Sequence, residues 1–316
     1  MLNDPTGAAT PLLRALLTCP LEEIARSMVD FDAWRNVRET AGQDWAQPIE
    51  RSVWGGLQCD RLAWAFFTAY QEAIRCLFPG LPTTTIGAIC ITESGGNHPQ
   101  DIQTAVVPAD NGCRLNGEKR FITGGTHAER LFVAASTGVK EGRNRIRMVW
   151  VDRDAAGLTV LAMPPLPFIP EITHCTVLLE DVFVPPEQVM EGDGYTGMIK
   201  PFRTIEDLHV VGAVLGYLLG IARRFGWPEE IVEQVSLLIV AVCALARQDP
   251  LSPATHIAAG GLFRQFEALI AAVDPLWAGT DAETARQWER DKPVLKIADK
   301  VRKLRLKVAW RHYGRP

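Results

Sequence analysis

The chain has 316 residues, 47% hydrophobic, 22% charged and 8% aromatic, with 33 basic and 37 acidic side chains and a formal net charge of −4. That apolar share supports a large buried core and excludes disorder as a description of the whole chain. The mild acidity argues against nucleic acid as the main partner, and the longest apolar stretches, 210–222 and 235–246, fall short of the roughly 20 residues a membrane-spanning helix needs.

Residues 1–83 carry helix periodicity and are expected to form an N-terminal helical domain. Leu12, Leu13, Leu16 and Leu17 form one stripe. Ile24, Met28 and Phe31 form a second, behind Pro20 and an acidic first turn of Glu22 and Glu23. Leu62, Ala65, Phe66, Ala69, Tyr70 and Ile74 form a third, and Trp34, Trp45, Trp54 and Trp64 are expected as core anchors.

Residues 84–190 change to short β-rich runs, expected at 86–92, 104–107, 113–115, 119–122, 131–135, 146–151, 158–161, 175–179 and 182–184. Turn signals are Asn111-Gly112, Asn116-Gly117 and Gly124-Gly125. Strands so spaced, with no helices between them, predict a central antiparallel β-barrel or sandwich domain. Residues 191–316 return to helical patterns over 203–225, 229–247, 254–272 and 282–312, a C-terminal helical bundle broken at Trp227-Pro228, Asp249-Pro250 and Asp274-Pro275. The fold class is thus α+β. Residues 235–246 are apolar on every face and are expected to be almost fully buried. The last helix is strongly basic, with Val294, Ile297, Val301, Leu304 and Val308 along one face.

Several catalytic signatures are absent from the sequence. There is no GxGxxG between a strand and a helix, no GxSxG, and no HExxH or other metal spacing among the six histidines. The run 112–119 has Glu118 where a P-loop needs lysine. Seven cysteines lie scattered without a CxxC pair, which predicts free thiols and a cytoplasmic setting. No basic-then-apolar leader is expected, since Asp4 and Pro5 precede the first basic residue, Arg14.

The informative stretch is Ile89–His98, where a β-run ends in Thr92-Glu93 and enters a glycine-rich turn suited to bringing backbone N–H groups close to an anion. Further on, Phe121 and Thr123 alternate, so one sheet face offers an apolar plate and a hydroxyl, which a planar heterocycle would use together. Thr92-Glu93, Thr104-Ala105, Leu115–Lys119, Phe121–Thr123, Leu179–Pro185, Gly192–Gly194 and Ala213–Gly216 follow one another in an order and spacing that resemble the acyl-CoA dehydrogenase family across about 86–220.

The resemblance implies FAD contacted by Ile91 and Thr92 through backbone and hydroxyl, and by Phe121 and Thr123 in place of the family's Trp and Thr. Phe keeps the plate but lacks the N–H donor. The Gly-Ser-Asp of the family turn is here Asn97-His98-Pro99, which puts His98 on the substrate side. The family's C-terminal base loop is missing. A minority of members carry the base on the first C-terminal helix, and this places Glu206 as catalytic base, with Asp207 beside it toward substrate. Arg203–Asp207 also reads as a helix start capped by Thr204. Arg223 is a candidate for the FAD pyrophosphate, against the alternative of a simple helix end at Gly226. The implied substrate is an acyl-CoA or acyl-carrier thioester, the electron acceptor an electron-transfer flavoprotein, and the assembly a homo-oligomer, dimer or tetramer. Two alternatives are a catalytically silent paralogue, serving as assembly partner or thioester-binding module, and a flavoprotein running oxygen chemistry.

Overall fold

In the computed structural model, residues 10–41 and 45–315 are described. The chain divides into two compact units: a helical one, from the described residues up to Cys76, Pro167–Glu171 and Thr204 onward, and a sheet unit of Leu77–Leu166 and Ile172–Arg203. The N-terminal and C-terminal helical zones therefore pack as one body.

The helical unit starts with α1 (Thr10–Thr18), α2 (Phe31–Ala41), α3 (Pro48–Gln58) and α4 (Leu62–Leu77). Trp34 stacks on Trp64, with ring centroids 6.0 Å apart. Buried indoles usually find a hydrogen-bond partner, and these two do. Trp34 Nε1 donates to Thr68 Oγ1 at 2.9 Å and Trp64 Nε1 to the Met28 carbonyl at 2.8 Å. The stripe of Ile24, Met28 and Phe31 is not one helix. Leu21–Glu23 makes a single 3-10 turn, the chain then extends, and the Met28 N–H goes to the Asp60 carboxylate at 2.9 Å. Side-chain capture of the backbone here replaces the helical bond that periodicity suggests.

After the sheet come α5 (Lys200–Phe225), α6 (Glu229–Leu245), α7 (Pro253–Val273), α8 (Ala282–Asp291) and α9 (Asp299–His312). With the π-turn that precedes it, α5 is part of 31 continuous helical residues from Tyr195; 89% of their most apolar window is buried inside the chain, as in a core helix. Gly226, at φ +61°, ends α5 in the left-handed conformation that suits glycine. Thr204 lies inside α5 rather than capping it, because the helix starts at Lys200. The expected single pattern over 282–312 is broken: Pro293 falls in a 3-10 turn, Lys292–Lys296, that separates α8 from α9. Only one face of α6 is buried, by Ile231, Val235, Leu238, Ile239, Val242 and Cys243; Leu237 is exposed, so the expectation of near-complete burial fails.

The sheet unit holds β1 (Gly87–Cys90), β2 (Ala105–Ala109), β3 (Gly112–Thr123), β4 (Arg130–Lys140), β5 (Arg143–Asp152), β6 (Leu158–Ala162) and β7 (His174–Val184). They form one seven-stranded sheet in the order β1-β4-β2-β3-β7-β6, with β5 also on β4. Most pairs are antiparallel, as expected, but β1 and β2 meet β4 in parallel, so the sheet is mixed. The core is built by inward residues such as Leu115, Ile122, Val133, Val149 and Val177. Asn116-Gly117 is not a turn. It lies within β3 at a register shift against β7. Gly117 has φ +151° and lies so close to Thr104 that a Cβ would clash with it.

Candidate functional site

The end of β1 and the middle of β3 form one constellation. The Arg120 N–H donates to the Thr92 carbonyl at 2.8 Å, and Lys119 Nζ reaches the Ile91 carbonyl at 3.3 Å. Ile91, Thr92, Phe121 and Thr123 thus sit on adjoining backbone. Beneath them is a feature that sequence reasoning missed. Lys119 is fully buried, and its Nζ lies 2.6 Å from Glu93 Oε1. Glu93 also accepts from the Gln103 N–H at 2.6 Å and the Thr104 N–H at 3.0 Å. Burial alone would push the Glu93 carboxyl up, but the Lys119 ammonium and the two N–H donors outweigh it and hold the group below its ordinary value. The ion pair ties the loop after β1 to β3. The signal was legible in principle: Lys119 shares its strand register with the inward Leu115, and a lysine facing a core requires an acid.

Between Lys119 and Ile122, β3 carries one extra residue against β7. Phe121 lies in this bulge at φ +55°, a strained conformation for an aromatic residue. Phe121 is 53% exposed, while Ile122 beside it is buried. Phe121 and Thr123 flank Ile122, so both leave the sheet on the face away from the core. The Arg120 guanidinium lies 5.9 Å from the Phe121 ring centroid. Thr123 Oγ1 lies 3.3 Å from His174 Nε2 on the paired strand, and burial pushes the His174 ring below its ordinary pKa. Among the described residues the half-buried Thr92 hydroxyl has no partner within the chain.

His98 is exposed on the loop after β1. Its N–H donates to Asp101, whose carboxylate lies beside Gly96, so the glycine-rich turn already holds an anion of its own. The other sequence-derived residues belong to the helical unit. Glu206 is half-buried on α5. Asp207, next to it, is buried and paired with Arg302 at 2.9 Å and with Arg305, which also donates to Thr204 Oγ1 at 2.8 Å. This cluster fastens α9 to α5. The Arg223 guanidinium donates to the carbonyls of Leu16 and Cys19 at 2.6 and 2.7 Å, satisfying the open C-terminal end of α1.

Residues 88–182 match the family model described as acyl-CoA dehydrogenase, middle domain. The matched segment is similar to the middle domain of that family. The chain is 29% identical over 160 residues to the probable acyl-CoA dehydrogenase YngJ of Bacillus subtilis, a match that spans 50% of this chain and 41% of that relative. The sequence match thus covers less than half of the relative's length. The fold extends further. A structure of butyryl-CoA dehydrogenase from Megasphaera elsdenii superposes over 98% of this chain and 95% of its own, with a TM-score of 0.66 and 14% identity. A structure of PigA with FAD and proline superposes over 96% and 97%, with a TM-score of 0.71 and 13% identity. The whole Phe121–Thr123 face and its Glu93–Lys119 support fall inside the matched segment.

Proposed function

We propose that the protein is a FAD-dependent dehydrogenase acting on an acyl thioester, CoA-linked or carrier-linked. The observation that carries this reading is the outward face of β3, where an aromatic plate and a hydroxyl stand side by side on a strained bulge anchored by a buried ion pair. A flavin ring needs an apolar contact surface together with hydrogen-bonding groups, and Phe121, Thr123, Thr92 and the Ile91 backbone are of the right chemistry. The naming of a FAD complex among proteins of the same fold adds support.

FAD, when bound, supplies the acceptor for the hydride that leaves Cβ of the thioester. Glu206 takes the α-proton. That proton is weakly acidic, so the thioester carbonyl must be held by hydrogen bonds as negative charge develops on it. The charge of Asp207 is already balanced by Arg302 and Arg305, so it adds little repulsion at Glu206. A pyrophosphate role for Arg223 competes with its bonds to Leu16 and Cys19. Electrons pass to an electron-transfer flavoprotein on this reading.

The test is the visible spectrum of the purified protein with added FAD, before and after anaerobic addition of acyl-CoA thioesters. Bound flavin that bleaches supports the dehydrogenase, and Glu206→Gln then slows bleaching by about a thousandfold, the usual worth of a general base. Failure to bind flavin favours the second reading, a catalytically silent paralogue serving as assembly partner or thioester-binding module. The engagement of both Asp207 and Arg223 in structural bonds favours that reading.

A further inference from the structure

We propose that His174 fixes the Thr123 hydroxyl as a hydrogen-bond acceptor toward the outer face of β3, and thereby raises the reduction potential of a flavin held there. The inference rests on the flavoprotein reading for its consequence, but the hydrogen-bond direction stands on the geometry together with the burial that disfavours a charged His174 ring.

His174 Nδ1 lies 3.1 Å from the Ile172 carbonyl oxygen. A carbonyl only accepts, so Nδ1 carries the hydrogen. A neutral imidazole with a protonated Nδ1 has a bare lone pair on Nε2, and that atom is 3.3 Å from Thr123 Oγ1. The hydroxyl must therefore donate to His174, since Nε2 has nothing to give. A threonine hydroxyl has one proton. With it committed, only lone pairs remain for anything on the outer face, and Thr123 points there because its neighbour Ile122 faces the core.

The flavin atom whose hydrogen-bonding character changes on reduction is N5. It is an acceptor when oxidised; on uptake of two electrons and one proton it becomes an N–H donor. An acceptor-only hydroxyl set against that atom would repel the first form and bond the second. His174 is thus a positioning residue, two hydrogen bonds long from the Ile172 carbonyl to the reacting face. A free threonine would rotate its proton to suit either state and would show no such preference.

Two measurements separate the parts. In the flavin-free protein, long-range nitrogen–proton NMR of the histidine side chains should show His174 protonated on Nδ1 and bare on Nε2. A protonated Nε2 overturns the proposal whatever the protein binds. In the FAD-loaded protein, a reductive titration against a reference dye gives the midpoint potential. His174→Leu frees the hydroxyl proton and should lower the preference for reduced over oxidised flavin at least tenfold, about 30 mV for a two-electron couple. Thr123→Val, close in shape, should remove the same preference, and Thr123→Ser should keep it. If His174→Leu does not fold, the Val and Ser variants still decide the matter. In the double variant, His174→Leu should add nothing to Thr123→Val. Bound flavin with an unchanged potential in Thr123→Val overturns the proposal while leaving the dehydrogenase reading intact. Absence of bound flavin in the unaltered protein overturns the dehydrogenase reading and the redox consequence, and leaves the tautomer result standing.

Discussion

At the scale of single residues, Lys119 shows how a fully buried charge is accommodated in this chain. Lys119 has no exposed surface and meets one carboxylate, which two backbone N–H groups also hold. Replacing it with methionine keeps the volume but leaves Glu93 charged and half-satisfied. Chemical denaturation should show a loss of about 3 kcal/mol, the usual result of removing one partner of a buried pair. Adding Glu93→Gln should recover part of it; equal losses in both variants would mean the pair is not coupled. His209 poses the reverse case. Its Nδ1 donates to the Ile205 carbonyl at 2.7 Å, Nε2 is buried without a partner among the described residues, and burial pushes its pKa down to about 4. The folded state therefore keeps the ring neutral, while the unfolded chain protonates it near pH 6.5. Between those values the unfolded state binds the extra proton, so stability falls as the pH is lowered, by about 3 kcal/mol in full below pH 4. His209→Gln should flatten that part of the profile when unfolding is followed from pH 7.5 to 4, and an unaltered slope would refute the assignment.

At the scale of elements, the most exacting contact is the crossing of α3 and α5. A Cβ on Gly56 would overlap the Ala213 carbonyl, and one on Gly216 would overlap the Val53 carbonyl. Two backbones in direct contact cannot yield to a new methyl without separating. Gly216→Ala should cost about 3 kcal/mol in thermal or urea unfolding, despite the better helix propensity of alanine. This crossing also shows what was legible in the sequence. The segment Ala213–Gly216 stood out as a motif fragment, yet its role as a helix contact needed α3 in place. Long helices were readable because α5 and α7 bury wide apolar faces over many turns. The strands were readable as runs, but Leu115 and Lys119 lie in one strand, because Asn116-Gly117 bends the ladder instead of reversing it. Phe121 and Thr123 were singled out by simple alternation; the bulge that holds Phe121 is set by pairing with β7, which local pattern does not encode. Glu93, Lys119 and His174 escaped notice as a working group because their partners are distant in sequence.

At the scale of the whole molecule, two surfaces of the helical unit carry opposite charge around exposed apolar side chains. On α9, Ile297 just before it, Val301, Leu304 and Val308 are all exposed. Lys300, Lys303, Lys307 and Arg311 stand among them, also exposed. The helix is held instead from its other side, by Asp207 on Arg302 and Arg305 and by buried Ala309. On α6, Glu229, Glu230 and Glu233 lead into exposed Leu237 and Val240. A surface that leaves an apolar stripe of this length in water usually meets a partner. The acidic stripe of one copy complements the basic stripe of another, and a two-fold arrangement makes both contacts at once. Light scattering after size exclusion should therefore give a mass near twice 34.9 kDa at micromolar concentration. Leu304→Lys adds charge to an already exposed position, so it should leave the fold intact and shift the mass toward one chain. Salt at about 0.5 M should weaken the association in part, because screening removes the charge attraction but not the apolar burial. A single-chain mass at every concentration, with or without salt, would leave these two stripes without each other as partners.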